Sequence, residues 1–276
     1  MHYITAIGFD ADGYIYANDP NKSEHPRKQK QDKFAKCLKQ AFIYWPKSKE
    51  SASVPFDNAG AVVTGATGDA IVDISKWQGS INFAKLAKKV SFIIARAGVG
   101  SDPDPLFDQY AQAMQKNGIP FGVYCYSYAG TVEKAKDEAQ KLVQRASKYN
   151  PLFYVLDAEE SRLTNETIKA FAAELKSQGI DRIGCYVAHH QYKKYKYDSL
   201  RSLFHFTWIP RYGANNGTVG GATKPAYPCD LWQYTSTGKI DGINGHTDLS
   251  VIVEGGKTLE WFLNRNYGAA VNSIVG

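Results

Sequence analysis

The chain has 276 residues, of which 43% are hydrophobic and 13% aromatic, so it can bury the core of a barrel-sized domain with a short appendage. No apolar run reaches the ~18 residues that a membrane span needs, so we expect no insertion into a membrane. The formal net charge of +6 suits either an anionic partner or an ordinary solvated surface. No nucleic-acid-binding motif accompanies that charge, so no nucleic-acid partner is expected.

The first 46 residues are predicted to form a unit of their own. A strand pattern over residues 2–9 is followed by turn residues 10–13 and by a returning strand over 14–17. This order is typical of a β-hairpin. A charged helix is expected over residues 32–42.

This hairpin resembles the C-terminal half of a papain-like cysteine peptidase domain of the bacteriocin-processing (C39-like) type. In that family a His opens one strand and an Asp in an Asn-Asp-Pro turn closes the next, and His2 and Asp19 match these positions. The family's nucleophilic Cys lies upstream of the His, whereas only Met1 precedes His2 here, and Cys37 lies on the wrong side. The resemblance therefore implies a remnant without a nucleophile.

The boundaries of the remaining parts follow from composition. Residues 47–69 are small, polar and Gly-containing, which is typical of a linker. The main domain is expected over residues 70–265, with a tail over 266–276. The N-terminal residues do not show a basic segment followed by an apolar one, so we expect no secretory signal peptide.

The cysteines are scattered and form no CxxC pair, and two of them lie inside strand-like runs. They are Cys37, Cys125, Cys185 and Cys229. This distribution favours buried free thiols, with a disulfide or a metal site as the weaker alternative.

From Ala70 onwards, strand and helix patterns alternate. The predicted strands are 70–75, 92–97, 120–127, 153–158, 182–188, 206–211 and 230–234, and the predicted helices are 82–89, 106–117, 132–148 and 165–178. Gly118 and Gly179 stand where glycines end helices. Repeated βα units predict an α/β fold with a parallel sheet, closed as a barrel or open and doubly wound, and helices become rare after residue 205.

The most informative stretch is the apolar run Phe153–Leu156, which leads into Asp157, Ala158, Glu159 and Glu160. Alternate residues of a strand share a face, so Asp157 and Glu159 should point together, with Cα atoms roughly 6–7 Å apart. Paired carboxyls are the groups that glycoside hydrolysis uses. The alternative is a helix N-cap, but the next good helix start is at Thr164.

Acidic and aromatic residues also follow the other predicted strands, where active sites of parallel α/β barrels collect. The set comprises Asp73, Trp77, Arg96, Tyr124, Tyr126, Tyr128, Trp208, Tyr212, Trp232, Gln233, Tyr234, His246 and Asp248. Any one of these aromatic side chains could simply pack in the core. Their convergence on one end of the sheet favours a saccharide site, because aromatic faces stack on sugars.

Residues 70–262 resemble glycoside hydrolase family 25, the Chalaropsis-type lysozymes. The matching motifs are VDISKWQG from Val72, FIIARA from Phe92, GIPFGVY from Gly118, LDAE from Leu156 and DLWQYTSTGKIDGI from Asp230. The resemblance implies an irregular β/α barrel of about eight strands that hydrolyses the β-1,4 bond between N-acetylmuramic acid and N-acetylglucosamine. It implies no metal and no cofactor. His189 and His190 depart from the pattern, and no role is assigned to them.

The resemblance also implies roles for individual residues. Glu159 would be the proton donor, with its pKa raised by Asp157 and burial, and Asp157 would stay ionised and orient the substrate's N-acetyl group. The alternative is direct inversion, with Asp73 or Asp157 activating water. The catalytic set is thus Glu159, Asp157 and Asp73, and the substrate-binding set is Asp248, Tyr124, Tyr126, Arg96, Trp77, Trp208, Tyr212 and Gln233.

Taken together, these expectations describe a peptidoglycan hydrolase whose partner is the glycan strand of the cell wall. An endolysin of a phage or prophage, made in the cytoplasm of a Gram-positive host and reaching the wall through holin-dependent release or lysis, is the implied context. The competing hypotheses are a non-catalytic glycan-binding protein on a degenerate barrel and a cysteine peptidase centred on the N-terminal unit.

Overall fold

The computed structural model describes residues 66–263 in full, together with the backbone of residues 5–9, 14–18 and 27–30. The chain divides into two compact units, Met1–Pro55 and Phe56–Gly276. Among the described helices, none has the length and apolar composition that crossing a bilayer requires.

The N-terminal unit contains three antiparallel strands, β1 (Thr5–Phe9), β2 (Tyr14–Asn18) and β3 (Arg27–Lys30). The predicted hairpin is confirmed, while the third strand was not predicted. His2, Asp19, Cys37 and the predicted helix over 32–42 lie outside the described residues. So do residues 47–65 of the expected linker and the expected tail over 266–276.

The second unit is a closed eight-stranded barrel. Its strands are β4 (Ala70–Ile74), β5 (Val90–Val99), β7 (Phe121–Tyr126), β8 (Tyr154–Ala158), β9 (Ile183–Val187), β10 (Phe206–Pro210), β11 (Leu231–Gly238) and β12 (Thr247–Ile252). A two-residue strand, β6 (Asp102–Pro103), pairs with the end of β5. The barrel order is β4-β12-β11-β10-β9-β8-β7-β5, and β5 pairs back with β4 to close it. The closed alternative is thus the correct one.

Seven strands of the barrel run parallel, and β12 is antiparallel to both of its neighbours, β11 and β4. The sequence patterns had not predicted β12 as a strand. Because β12 runs the other way, its first residues lie at the edge where the other seven strands end. This orientation places Asp248, near the start of β12, opposite Asp73, near the end of β4.

The helices lie mainly in the first half of the barrel, as predicted. They are α1 (Phe83–Leu86), α2 (Phe107–Lys116), α3 (Val132–Ala146), α4 (Asn165–Ser177) and α5 (Leu259–Leu263). On α2 the buried residues Phe107, Tyr110, Ala111 and Met114 form one stripe that packs against the sheet. Gly118 and Gly179 follow α2 and α4 with φ of +62° and +78°, which confirms their prediction as helix-ending glycines.

Aromatic rings fill the barrel at the end where the parallel strands begin. The Phe262 ring of α5 packs against Phe92, Phe153 and Phe206, with ring centroids 5.0–5.6 Å apart. Arg182 holds α5 in place, because its guanidinium donates to the carbonyl oxygens of Trp261 and Phe262. This end of the barrel is therefore closed by apolar packing.

Two glycines make room for these rings. A Cβ on Gly122 would lie 2.0 Å from the Phe153 ring, and one on Gly184 would lie 2.2 Å from the Phe206 ring. Residues two and four positions further along each strand face the same interior, so Tyr124 and Tyr126 follow Gly122, and Tyr186 follows Gly184. The barrel interior thus changes from apolar at one end to polar at the other.

Candidate active site

The end of β8 places the central acid inside the barrel. Val155 belongs to the interior core, and Asp157, two residues later on the same face, is only 6% exposed. Glu159 follows immediately after the strand and is half-buried. The predicted pair therefore lies at the carboxyl edge of the barrel, with Asp157 deeper than Glu159.

A second pair of acids lies on β4 and β12, close enough for its charges to act on the first pair. Asp73 on β4 and Asp248 on β12 are direct cross-strand partners. Burial raises the pKa of Asp73 well above its usual range, and the nearby charge of Asp248 raises it further. Burial also raises the pKa of Asp248 to about 6, although a hydrogen bond from Asp73 opposes that rise. The closeness of the two carboxyls thus disfavours ionisation of both at once, and burial disfavours it most strongly for Asp73.

An amide on β11 connects this pair to two tyrosines. Gln233 Nε2 donates to Asp73 Oδ2 at 2.9 Å. The hydroxyls of Tyr186 and Tyr212 both donate to Gln233 Oε1, at 2.9 and 2.6 Å. Because Gln233 is only 3% exposed, this network is sheltered from solvent and fixes the orientation of the Asp73 carboxyl.

Arg96 on β5 supplies the positive charge that opposes the rise in the pKa of Asp157. Its Nε is 2.8 Å from Asp104 Oδ2, and both residues are buried. Asp104 also accepts hydrogen bonds from the backbone N–H groups of Lys76 and Leu106, each at 3.0 Å. One buried carboxylate therefore orients Arg96 and orders the turn that follows β4.

The surroundings of Asp157 disfavour the ionised carboxyl that the resemblance implies. Burial raises the pKa of Asp157 well above its usual range, and the charges of Glu159 and Asp73 raise it further, while Arg96 opposes the rise. Its Oδ1 atom is buried and has no protein hydrogen-bond partner. The sequence placed Asp157 at a strand end but could not reveal how completely the barrel would enclose it.

The environment of Glu159 favours a protonated carboxyl. Burial raises its pKa, a hydrogen bond from the Tyr126 hydroxyl opposes the rise, and the charges of Glu160 and Asp248 add to it. Tyr126 also donates to Glu160 Oε1 at 2.9 Å, so the two acids that follow β8 share one tyrosine. A half-buried acid with a raised pKa is suited to general acid catalysis.

The predicted aromatic residues divide into accessible and buried ones. Trp77 is 76% exposed on a turn after β4, and Tyr126 and Tyr212 are half-buried. Trp208, in contrast, is 2% exposed inside the barrel, where its indole N–H donates to Ser250 Oγ at 3.0 Å. Trp208, which was predicted to bind substrate, thus packs inside the barrel against Tyr186, at a centroid distance of 4.7 Å.

The profile of the family described as Glycosyl hydrolases family 25 matches residues 72–243, which is more than half of the chain. The chain belongs to glycoside hydrolase family 25. The resemblance seen in the sequence is thereby confirmed.

Solved structures share the fold of this hydrolase. It is 30% identical to GHIP, a glycosyl hydrolase 25 of Streptococcus pneumoniae, with a TM-score of 0.65 over 70% of this chain and 90% of that one. It is 32% identical to the catalytic domain of endolysin ply40 from bacteriophage P40 of Listeria monocytogenes, with a TM-score of 0.63 over 67% of this chain and 93% of that one.

The chain also has a relative among known sequences. It is 25% identical over 191 residues to the uncharacterized protein YegX of Escherichia coli O6:H1, and the match covers 65% of this chain and 68% of that protein.

Sequence reasoning missed three residues that organise the site of this family 25 hydrolase: Tyr186, Asp104 and Glu160. Tyr186 lies near the end of β9, so the strand-end rule that found Tyr124 could have found it. Asp104 follows the short strand β6, which no periodicity marks. Glu160 was visible beside Glu159, but its link to Tyr126 depends on the neighbouring strand.

The two histidines that depart from the family pattern occupy the connection after β9. His189 Nε2 accepts a hydrogen bond from the Ala226 backbone N–H at 3.2 Å, and its ring lies 4.8 Å from that of Tyr227. In the hydrolase, His189 therefore joins two loops of the barrel. Among the described residues, no three His, Cys, Asp or Glu side chains are grouped so that they could hold a metal ion.

The cysteines within residues 66–263 agree with the prediction of free thiols. Cys125 and Cys185 are free and buried, and Cys229 is free and half-buried. Burial raises the pKa of the Cys229 thiol to about 12 and raises that of Cys125 well above its usual range. None of these three thiols of the hydrolase is therefore activated as a nucleophile.

Proposed function

We propose that this protein is an N-acetylmuramidase that cleaves the β-1,4 bond between N-acetylmuramic acid and N-acetylglucosamine in peptidoglycan. The observation that carries the proposal is the group of four carboxyls, Asp73, Asp157, Glu159 and Asp248, all with raised pKa values at one end of the barrel. Placing four carboxyls together, with Asp73 and Asp157 buried, is unfavourable for folding and is typical of a catalytic centre.

Glu159 acts as the general acid in this proposal. Its partial burial keeps the proton available, and its position at the edge of the barrel leaves the carboxyl accessible to a glycosidic oxygen. Proton donation neutralises the leaving oxygen as the bond to the anomeric carbon breaks. The partner acid then has to stabilise the positive charge that develops on the sugar.

Asp157 fills that second role through the substrate's own acetamido group. Its buried Oδ1, which lacks a protein partner, can accept a hydrogen bond from the acetamido N–H. That hydrogen bond favours the ionised carboxyl and directs the acetamido oxygen towards the anomeric carbon. The deep position of Asp157 supports this substrate-assisted route over direct activation of water by the same residue.

The remaining polar groups support these two acids. The raised pKa of Asp73 limits the negative charge near Asp157, and Gln233 fixes the orientation of Asp73. Trp77 and Tyr212 present aromatic surface on which a sugar ring can stack. These aromatic faces are thus suited to a sugar substrate.

The biological context that we propose is an endolysin of a phage or prophage with a Gram-positive host. This proposal is supported by the 32% identity to the catalytic domain of a Listeria phage endolysin. The fold is further supported by the bacterial lysozyme from Streptomyces coelicolor, which shares it at a TM-score of 0.59 and 22% identity.

Replacement of the proposed proton donor tests the function. We expect Glu159→Gln to lower the release of reducing sugar from purified Gram-positive walls by about two to four orders of magnitude, because the amide cannot donate a proton to the leaving oxygen. Mass spectrometry of the wild-type digest should identify N-acetylmuramic acid at the new reducing ends.

Glu254→Gln serves as the matched control, because Glu254 is an exposed acid in the loop after β12. It should retain wild-type activity, and both variants should keep the wild-type melting temperature or exceed it. Wild-type-like activity of Glu159→Gln would refute the assigned role. Binding to walls without any sugar release by the wild type would instead support the alternative of a glycan-binding protein.

A further inference from the structure

Three side chains of one segment hold three consecutive carbonyl oxygens of the acid-bearing loop. Gln191 Nε2 donates to the carbonyl oxygen of Glu159 at 3.4 Å, and the Tyr195 hydroxyl donates to that of Glu160 at 2.6 Å. Lys194 Nζ donates to the carbonyl oxygen of Ser161 at 2.7 Å. We call residues 191–195 the clamp segment.

The acid-bearing loop depends on such contacts because the sheet no longer supports it. The pairing of β8 with β9 ends at Ala158, opposite Val187. The next regular element, α4, begins at Asn165 and is capped by Thr164. Glu159 therefore lies on the first residue beyond the strand, where its backbone position is set by contacts from outside the sheet.

The clamp segment is itself firmly anchored. Its tyrosines Tyr192 and Tyr195 are each 1% exposed, and the Tyr192 ring stacks on Tyr227 at a centroid distance of 4.0 Å. The lysines between them, Lys193 and Lys194, remain on the surface. The segment thus has an inward face that packs and donates hydrogen bonds, and an outward face that is solvated.

We propose that the clamp segment is a positioning device for Glu159, with Tyr195 as its main positioning residue and with Lys194 and Gln191 in lesser roles. Tyr195 has the shortest of the three bonds and the most buried donor. Its loss would leave the Glu160 carbonyl with a weaker set of partners and let the Glu159 carboxyl move relative to the glycosidic oxygen. This inference rests on the proposed role of Glu159 as proton donor and adds the residues that hold it.

Tyr195→Phe tests the proposal, because it removes only the hydroxyl and keeps the ring. We expect kcat on a soluble peptidoglycan fragment to fall about ten-fold with KM unchanged, since small misplacements of a catalytic group slow the chemical step. Tyr192→Phe is the matched control: its hydroxyl donates at 2.6 Å to Asp198, away from the acid-bearing loop. This control should keep the wild-type kcat.

Two further variants test whether Tyr195 contributes more to positioning Glu159 than Lys194 and Gln191 do. Lys194→Met should lower kcat by roughly two-fold or less, because Lys194 is exposed and water can replace its hydrogen bond. Gln191→Leu, which removes the longest bond, should also have a smaller effect than Tyr195→Phe. Melting temperatures of all four variants show whether they fold.

The outcomes separate this inference from the proposed function. If the wild type is active and both Tyr195→Phe and Tyr192→Phe keep its kcat, the clamp proposal is wrong and the muramidase proposal stands. Equal losses of kcat in both variants also overturn the clamp proposal, because the effect is then one of general packing. An inactive wild type overturns the muramidase proposal itself.

Discussion

At the scale of single residues, the site brings together acids whose burial opposes folding. Asp73 and Asp157 are each 6% exposed, and both have raised pKa values. Such groups are stabilised in their protonated form, so the folded protein binds their protons more tightly than the unfolded chain does. Their charged forms therefore destabilise the fold as the pH rises.

Asp248 gives the clearest test of this linkage. Its pKa rises from the usual value of 3.8 to about 6 on folding, so its contribution to stability is full below pH ~4 and is lost as the pH rises to about 6. We expect Asp248→Asn to melt close to the wild-type temperature at pH 4 and a few degrees above it at pH 7. Thermal unfolding across this range provides the measurement, and a variant that is less stable at pH 7 than at pH 4 relative to wild type would contradict it.

The sequence predicted the acids better than the residues that orient them. Asp157 and Glu159 stand out because acids directly follow an apolar strand. Gln191 and Tyr195 carry no such signal, since they lie in irregular turns whose approach to the acid-bearing loop depends on the closed barrel. The raised pKa of Asp157 could not be predicted for the same reason, because burial by other strands causes it.

At the scale of elements, neighbouring strands pack where a glycine on one strand leaves space for an aromatic ring from the next. Gly184 on β9 faces Phe206 on β10, and the two are neighbours in the parallel register. The ring occupies the space that a side chain at position 184 would need. Glycine in the middle of a strand is unfavourable by itself, so its presence here reflects the packing of the barrel interior.

Gly184→Ala should therefore destabilise the barrel by about 1–3 kcal/mol, because the new methyl group would overlap the Phe206 ring. Chemical denaturation measures this loss as a lower midpoint. Gly130→Ala is the matched control, since nothing lies within 4 Å of a Cβ at that position. Equal midpoints for Gly184→Ala and wild type would show that the ring can move aside at no cost.

The early elements of the barrel could be predicted because each βα unit shows its own periodicity. The helix predicted over 165–178 is observed at Asn165–Ser177, and the strand predicted over 153–158 at Tyr154–Ala158. β12 escaped prediction because its residues Thr247–Ile252 are partly exposed and follow no helix. Its pairing with β4 is a long-range contact that local patterns do not reveal.

At the scale of the whole barrel, the apolar residues that stabilise the fold and the acids of the site lie at opposite ends. The apolar end is filled by Phe92, Phe153, Phe206 and Phe262, whereas the acids occupy the end where the parallel strands finish. This separation lets one end supply the packing that offsets the buried acids at the other.

Phe262→Ala tests the separation. Phe262 is 0% exposed, so its loss should lower the free energy of unfolding by about 3–5 kcal/mol. The activity per folded molecule should stay near the wild-type value at low temperature, because the cavity forms far from Glu159. Chemical denaturation measures the loss of stability. Initial rates, taken at roughly 10–15 °C below the melting transition of the variant so that it is still folded, measure the activity.

The seam between β4 and β12 has a consequence for when the enzyme can act. Asp73 and Asp248 come from the first and last strands of the barrel and meet only across this seam. During translation, the acids on β4 and β8 leave the ribosome well before β12 is made. A nascent chain therefore cannot assemble the full set of carboxyls, and hydrolytic capacity should appear in one step when the final strand inserts.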